Sequence, residues 1–187
     1  MSWKTDEPEV RSMPLAWGAK VSREFRIRVI DLSKPLMVDP SLLMTVMAFQ
    51  TDRTFSASLS SRLELNSNVG VGLIQFNPQT AQLLGTTIES LRMMTPERQL
   101  SFVQSFFWPS RGKLKTLEDI YMAILWPEGV GKPNDMVVFD RAHPFCPLAY
   151  LANHGLVFNS DGKITKSEAC ARVQALLPIG FLPENKA

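Results

Sequence analysis

The chain has 187 residues, 45% of them hydrophobic, and a formal net charge of +2. That length fits one domain with at most a small appended part, and that hydrophobic content excludes a globally disordered chain. The near-neutral charge makes no demand for nucleic acid and none is expected as a partner, while slight basicity suits a polyanionic surface such as a cell wall.

The first stretch, "MSWKTDEPEVRSMPLAW", lacks the basic-then-apolar pattern of a signal peptide, so none is expected. Residues 1–17 read as an arm carrying Pro8, Pro14 and mixed charge. No uncharged run reaches the ~18 residues needed to cross a bilayer, so no membrane span is expected. Cys146 and Cys170 cannot build a disulfide framework and read as free thiols.

"SREFRIRVIDLSK" supports two periods. Phe25, Val29 and Ile30 suit a helix face, whereas Phe25, Ile27 and Val29 alternate as in a strand. Its Arg, Glu and Leu content and a cap at Ser22 favour helix. The next start is sharper. Asp39 can cap, and Pro40 fits the first helical position, where its missing N–H would have no partner anyway. Leu43, Met47 and Gln50 then share one face with Leu42 and Val46. An apolar helix therefore ends on an amide, Gln50, followed by Thr51.

"TDRTFSASLSSRLELNSNVG" has few regular apolar repeats and reads as a loop or flap. "GVGLIQF" reads as a turn, and Pro78 opens a helix ending near Gly85. Thr95 and Pro96 start another helix with Leu100, Val103 and Phe107 inward. Thr116 starts "TLEDIYMAILWP", with Asp119 as the partner in a weak capping box. Ile120, Ile124 and Leu125 point inward, and Pro127 ends the run. "AHPFCPLAYLANHG" reads as a loop, and a last helix runs from a cap at Thr165 to a stop at Pro178. The sum is five to seven helices and almost no strand.

The strings "PLAWGAKVS", "GLIQF", "LGTT", "RGKLKTL" and "YMAILWPEGVGKPND", in this order, resemble the lytic transglycosylase and goose-type-lysozyme-like proteins, in particular a branch encoded by bacteriophages. The likeness spans residues 14–177. It implies an all-α, two-lobed lysozyme-like fold with a cleft over residues 18–142. A C-terminal extension over 143–187 would carry a small EF-hand-like helical element. It also implies peptidoglycan glycan strands and phage tail proteins as partners. The expected location is the phage virion, after synthesis in the host cytoplasm.

In that family the helix before the flap ends in a glutamate. This residue protonates the leaving oxygen of the N-acetylmuramic acid–N-acetylglucosamine bond and then removes the proton that allows an anhydro ring to close. Here the position is Gln50. A carboxamide forms hydrogen bonds but has no proton to give in that step. Losing one general acid typically costs ~10²–10⁴ in rate. Asp52 and Glu64 lie nearby in sequence and are the alternative acids; as flap residues they also suit solvated surface charges.

The resemblance further places Gln75 toward a substrate N-acetyl group and Tyr121 beside the acid. Phe76 and Trp126 would offer ring faces to sugars. Core packing is the competing reading for all four. His143 and His154 lie in no metal-ligand spacing and read as loop residues.

"VFNSDGKITKSE" has the spacing of one EF-hand calcium loop. Asn159 and Asp161 fit its third and fifth positions, the Lys163 carbonyl its seventh and Glu168 its twelfth. The first position, normally Asp, is Val157. Losing that ligand should weaken calcium binding greatly, and no cofactor is expected. Thr165 and Glu168 also form a T-x-x-E capping box, which needs no metal.

A laboratory change of glutamate to glutamine would explain Gln50 but neither Val157 nor "LSSRLELNSN", where the family favours small residues and glycine. The expected function is therefore a catalytically impaired, lysozyme-like virion protein that is structural or wall-binding. The alternative is a peptidoglycan-cleaving transglycosylase or muramidase, either in an inactivated form or using Asp52 or Glu64. A third reading is an assembly protein whose cleft binds no glycan.

Overall fold

A computed structural model describes residues 14–60, 70–143, 147–156 and 159–187. The protein is mostly helical with one small antiparallel sheet. The helices are α1 (Arg23–Leu36), α2 (Pro40–Gln50), α3 (Pro78–Leu83), α4 (Ile88–Arg92) and α5 (Pro96–Phe107), then α6 (Leu117–Leu125), α7 (Pro147–Ala152), α8 (Lys166–Gln174) and α9 (Leu176–Gly180). The strands are β1 (Val137–Asp140) and β2 (Lys163–Thr165).

Local chemistry sets most of the helix starts. The side chains of Ser22, Asp39, Thr95, Thr116 and Thr165 each accept a backbone N–H at the start of α1, α2, α5, α6 and α8. These bonds satisfy N–H groups that have no carbonyl partner inside the helix. The ambiguous Ser22 segment is thus resolved as helix.

α2 is the centre of the molecule. Leu43, Met44, Val46, Met47 and Ala48 are all fully buried, so the helix is covered on every side rather than along one stripe. α1, α6, α8 and α9 pack around it, and α5 lies against α1. Leu100, Val103 and Phe107 face this core, as their spacing predicts.

Several expectations change. Of the expected arm, residues 1–13 lie outside the described residues, and Leu15, Ala16 and Trp17 are buried in the core. Leu15 exchanges two backbone hydrogen bonds with Ala187, and the Trp17 N–H bonds to the Gly180 carbonyl. A short helix, α4, is capped by Thr87 where none is expected. The segment read as a loop around residue 150 contains α7. The last helix is two: α8 ends at Gln174, and Pro178 lies in the first turn of α9, where its missing N–H costs little.

The expected boundary at residue 142 separates two strands that pair. Val137 faces Thr165, Phe139 faces Ile164 and Asp140 faces Lys163, with an irregularity between Val137 and Phe139. Just past β2, Lys166 is buried and donates to Asp119 of α6 at 2.7 Å and to the Lys132 carbonyl at 2.9 Å. Asp119 therefore does not complete the expected capping box with Thr116. Its carboxylate accepts from Lys166 and from the backbone N–H groups of Gly131 and Lys115. No described helix is long and apolar enough to cross a membrane.

Candidate functional site

The C-terminal end of α2 is held by Thr51, whose side chain is fully buried. Its hydroxyl donates to the Met47 carbonyl at 2.7 Å and accepts the Phe55 N–H at 3.0 Å. The Arg53 N–H also turns back to the Ala48 carbonyl. Beyond Thr51 the backbone is strained: Asp52, Arg53 and Phe55 have φ of 45°, 65° and 52°. Side chains at positive φ cost of order 1–3 kcal/mol each and gather where surrounding structure imposes them, often at functional sites. Gln50 immediately precedes this turn. It is half-buried, and among the described residues its side chain makes no hydrogen bond.

Asp52 is the described alternative acid. Its side chain is 84% exposed and pairs with Arg53 at 3.3 Å. It lies on the rim of a small pocket of about 240 Å³ with Phe49, Arg53, Arg172 and Leu176, and Gln50 is not in that lining. Glu64 lies outside the described residues.

Gln75 also has a positive φ, of 54°, as do Trp17 and Met37 elsewhere in the fold. It sits in the turn closed by the Val71–Phe76 bridge, and Ser60, within the flap, also bridges to Val71. The Gln75 amide donates to the carbonyls of Gly72 at 3.0 Å and Leu59 at 3.3 Å. It therefore braces its own turn against the flap, and the side chain is half-buried.

Phe76 departs from its expected role. It is 1% exposed, and the edge-to-face contact with Phe106 leaves no ring face for a sugar. Tyr121 is also buried, edge-on to Phe49 at 5.4 Å, so it packs beside the residue that precedes Gln50. Burial pushes its hydroxyl up to about 12, and it stays protonated across the physiological range.

Trp126 packs edge-on against Phe139 and is half-buried. It lines a separate pocket of about 450 Å³ with Glu128, residues 137–140, His143 and Ala149, a wall that includes none of Gln50, Gln75 and Tyr121. The structure thus brings Tyr121 to the end of α2 and ties Gln75 to the flap. It puts Phe76 in the core and Trp126 against the sheet.

Gln99 is the residue that sequence reasoning missed. It is fully buried on α5. Its carbonyl oxygen accepts the Leu73 N–H at 2.7 Å, and its amide donates to the carbonyls of Ala57 at 3.1 Å and Leu91 at 3.0 Å. One side chain joins the flap, the Gln75 turn and α4. Gly72 approaches it so closely that a Cβ would lie 2.2 Å from Oε1, and its φ of 77° also disfavours a side chain. The available signal was a glutamine four residues before Val103, on the apolar stripe of α5.

In the C-terminal loop the capping box is formed in both directions between Thr165 and Glu168. Glu168 Oε1 accepts from the Asn159 amide at 2.8 Å, and Oε2 from the Thr165 N–H at 2.8 Å and its hydroxyl at 2.9 Å. Asn159 Oδ1 accepts the Asp161 N–H and Asp161 Oδ1 the Lys163 N–H. Among the described residues no group of three His, Cys, Asp or Glu side chains is placed to hold a metal ion. Val157 lies outside the described residues.

Compared with known proteins, the chain matches no family model and no curated protein.

Proposed function

We propose that this chain is a lysozyme-like protein of a bacteriophage virion, impaired in catalysis and serving as a structural or peptidoglycan-binding component, with a tail location fitting a wall-contacting part. One observation carries the reading: a carboxamide, Gln50, closes the buried central helix and abuts a strained turn, where the likeness to transglycosylases calls for a carboxylic acid. A half-buried helix end beside an aromatic pair favours the protonated form of a carboxyl group, which is what an acid catalyst needs. An amide in the same place retains hydrogen bonding to a sugar and loses the proton transfer. Asp52 is a poor replacement, because it stands in solvent against Arg53 rather than in an apolar wall.

The two-lobed cleft, the EF-hand-like descent of the C-terminal loop and the glycan contacts of Gln75 and Tyr121 belong to the same proposal. The test is muropeptide release from purified peptidoglycan by the chain as it stands and by Gln50→Glu, with a sedimentation assay for wall binding. The proposal expects binding without release, and a gain of release of ~10² or more on restoring the acid. Anhydro-muropeptide release by the unaltered chain would end it.

A further inference from the structure

The loop from Asn159 to Glu168 has the spacing of a calcium site, but its donor set does not fit a cation. In such a loop the third, fifth and twelfth side chains turn oxygens toward the ion. Here the third, Asn159, turns its NH₂ toward the twelfth, Glu168, at 2.8 Å. The amide orientation is set by the network. Asn159 Oδ1 accepts the Asp161 N–H at 2.9 Å, and a flipped amide would put one donor against another and an oxygen against a carboxylate. Glu168 has both oxygens engaged, Oε2 by the Thr165 cap. The first position has no carboxylate at all, because it is Val157.

We infer that this loop is closed by the Asn159 amide acting in place of a metal ion, and that the C-terminal part of the fold forms without any divalent cation. An N–H pointing at the carboxylate supplies the positive end of a dipole where a calcium loop would hold an ion. Gly162, at φ of 79°, keeps the sharp turn, so the loop still delivers Lys163–Thr165 to β1. Lys166 follows directly and enters its buried contact with Asp119. The closed loop thus leads directly into the strand pairing and the Lys166–Asp119 contact.

The test uses the full chain. Thermal unfolding is followed by circular dichroism in EDTA and in millimolar calcium chloride, for the natural sequence and for Asn159→Asp. Aspartate keeps the oxygen that caps Asp161 and removes only the donor that faces Glu168. The natural chain is expected to melt within about 1 °C in the two buffers, whereas a site saturated tenfold above its Kd would raise Tm by about 3–6 °C. In EDTA, Asn159→Asp is expected to lower Tm by about 2–4 °C, because two carboxylates then meet where a charge-assisted bond stood. A calcium-dependent rise of several degrees in the natural chain overturns the inference. So does an Asn159→Asp protein that melts with the natural chain in EDTA.

Discussion

Lys166 and Asp119 form a salt bridge at 2.7 Å with side chains 2% and 6% exposed. They join helices that are far apart in sequence, and each is nearly removed from water. Burial penalises the Asp119 carboxylate, but the Lys166 hydrogen bond, the Gly131 N–H, the lysine charge and the Lys115 N–H outweigh it. Its carboxyl is therefore held below the ordinary range.

Replacing Asp119 by Ala leaves a buried ammonium without its partner. A loss of about 3–5 kcal/mol in unfolding free energy is expected from urea titration. A loss under about 1 kcal/mol would show that the pair is not a structural tie.

The same carboxylate sets a pH dependence. A folded-state value depressed below the unfolded one, about 3.9, stabilises the protein above that pH and ceases to do so as pH falls through the folded value. The stability difference between the natural chain and Asp119→Asn should be fully present near neutrality. It should shrink progressively below about pH 4. A difference that stays constant to pH 2 contradicts the assignment.

Gln99→Leu removes three hydrogen bonds and strands the Leu73 N–H and the Ala57 carbonyl in the interior, while the Leu91 carbonyl keeps the Met94 N–H. Each buried unmet group costs about 1–3 kcal/mol, and partial relaxation makes about 2–4 kcal/mol the expected total. Chemical denaturation measures it.

Tyr121 and Tyr150 are the only tyrosines. In a Tyr150→Phe protein, ultraviolet difference absorbance should show no phenolate until the pH approaches about 12, because burial holds the Tyr121 hydroxyl protonated. Ionisation near 10 in the folded protein would place that ring in solvent.

Cys170 is fully buried, and burial, followed by the nearby Glu118 charge, pushes its thiol up to about 12. A Cys146→Ala protein should therefore resist thiol-directed disulfide reagents at pH 8 until denaturant is added. Rapid labelling under native conditions would refute this.

How far the sequence could be read divides along a physical line. The caps at Ser22, Asp39, Thr95, Thr116 and Thr165 act within three residues, so their chemistry is visible locally. The end of α2 at Gln50 follows from the same local pattern. Residues 166 and 119 meet across 47 positions, and nothing local distinguishes Lys166 from a surface lysine. Asp119 looked like a capping partner because its spacing from Thr116 suited one, yet a distant ammonium and the Gly131 N–H took its oxygens. Phe76 has the composition of both a sugar platform and a core ring, and only packing against Phe106 separates the two. α7 lies in a proline-punctuated stretch, which hides a helix of this length from any periodicity.

The ladder between Val137–Asp140 and Lys163–Thr165 bears on recombination. A crossover at residue 142 would give the donor one strand and the recipient the other, and would part Lys166 from Asp119 in the same event. C-terminal exchange among related chains should therefore succeed only where the incoming segment begins before Asp119, or where it supplies a strand and a lysine in matching register.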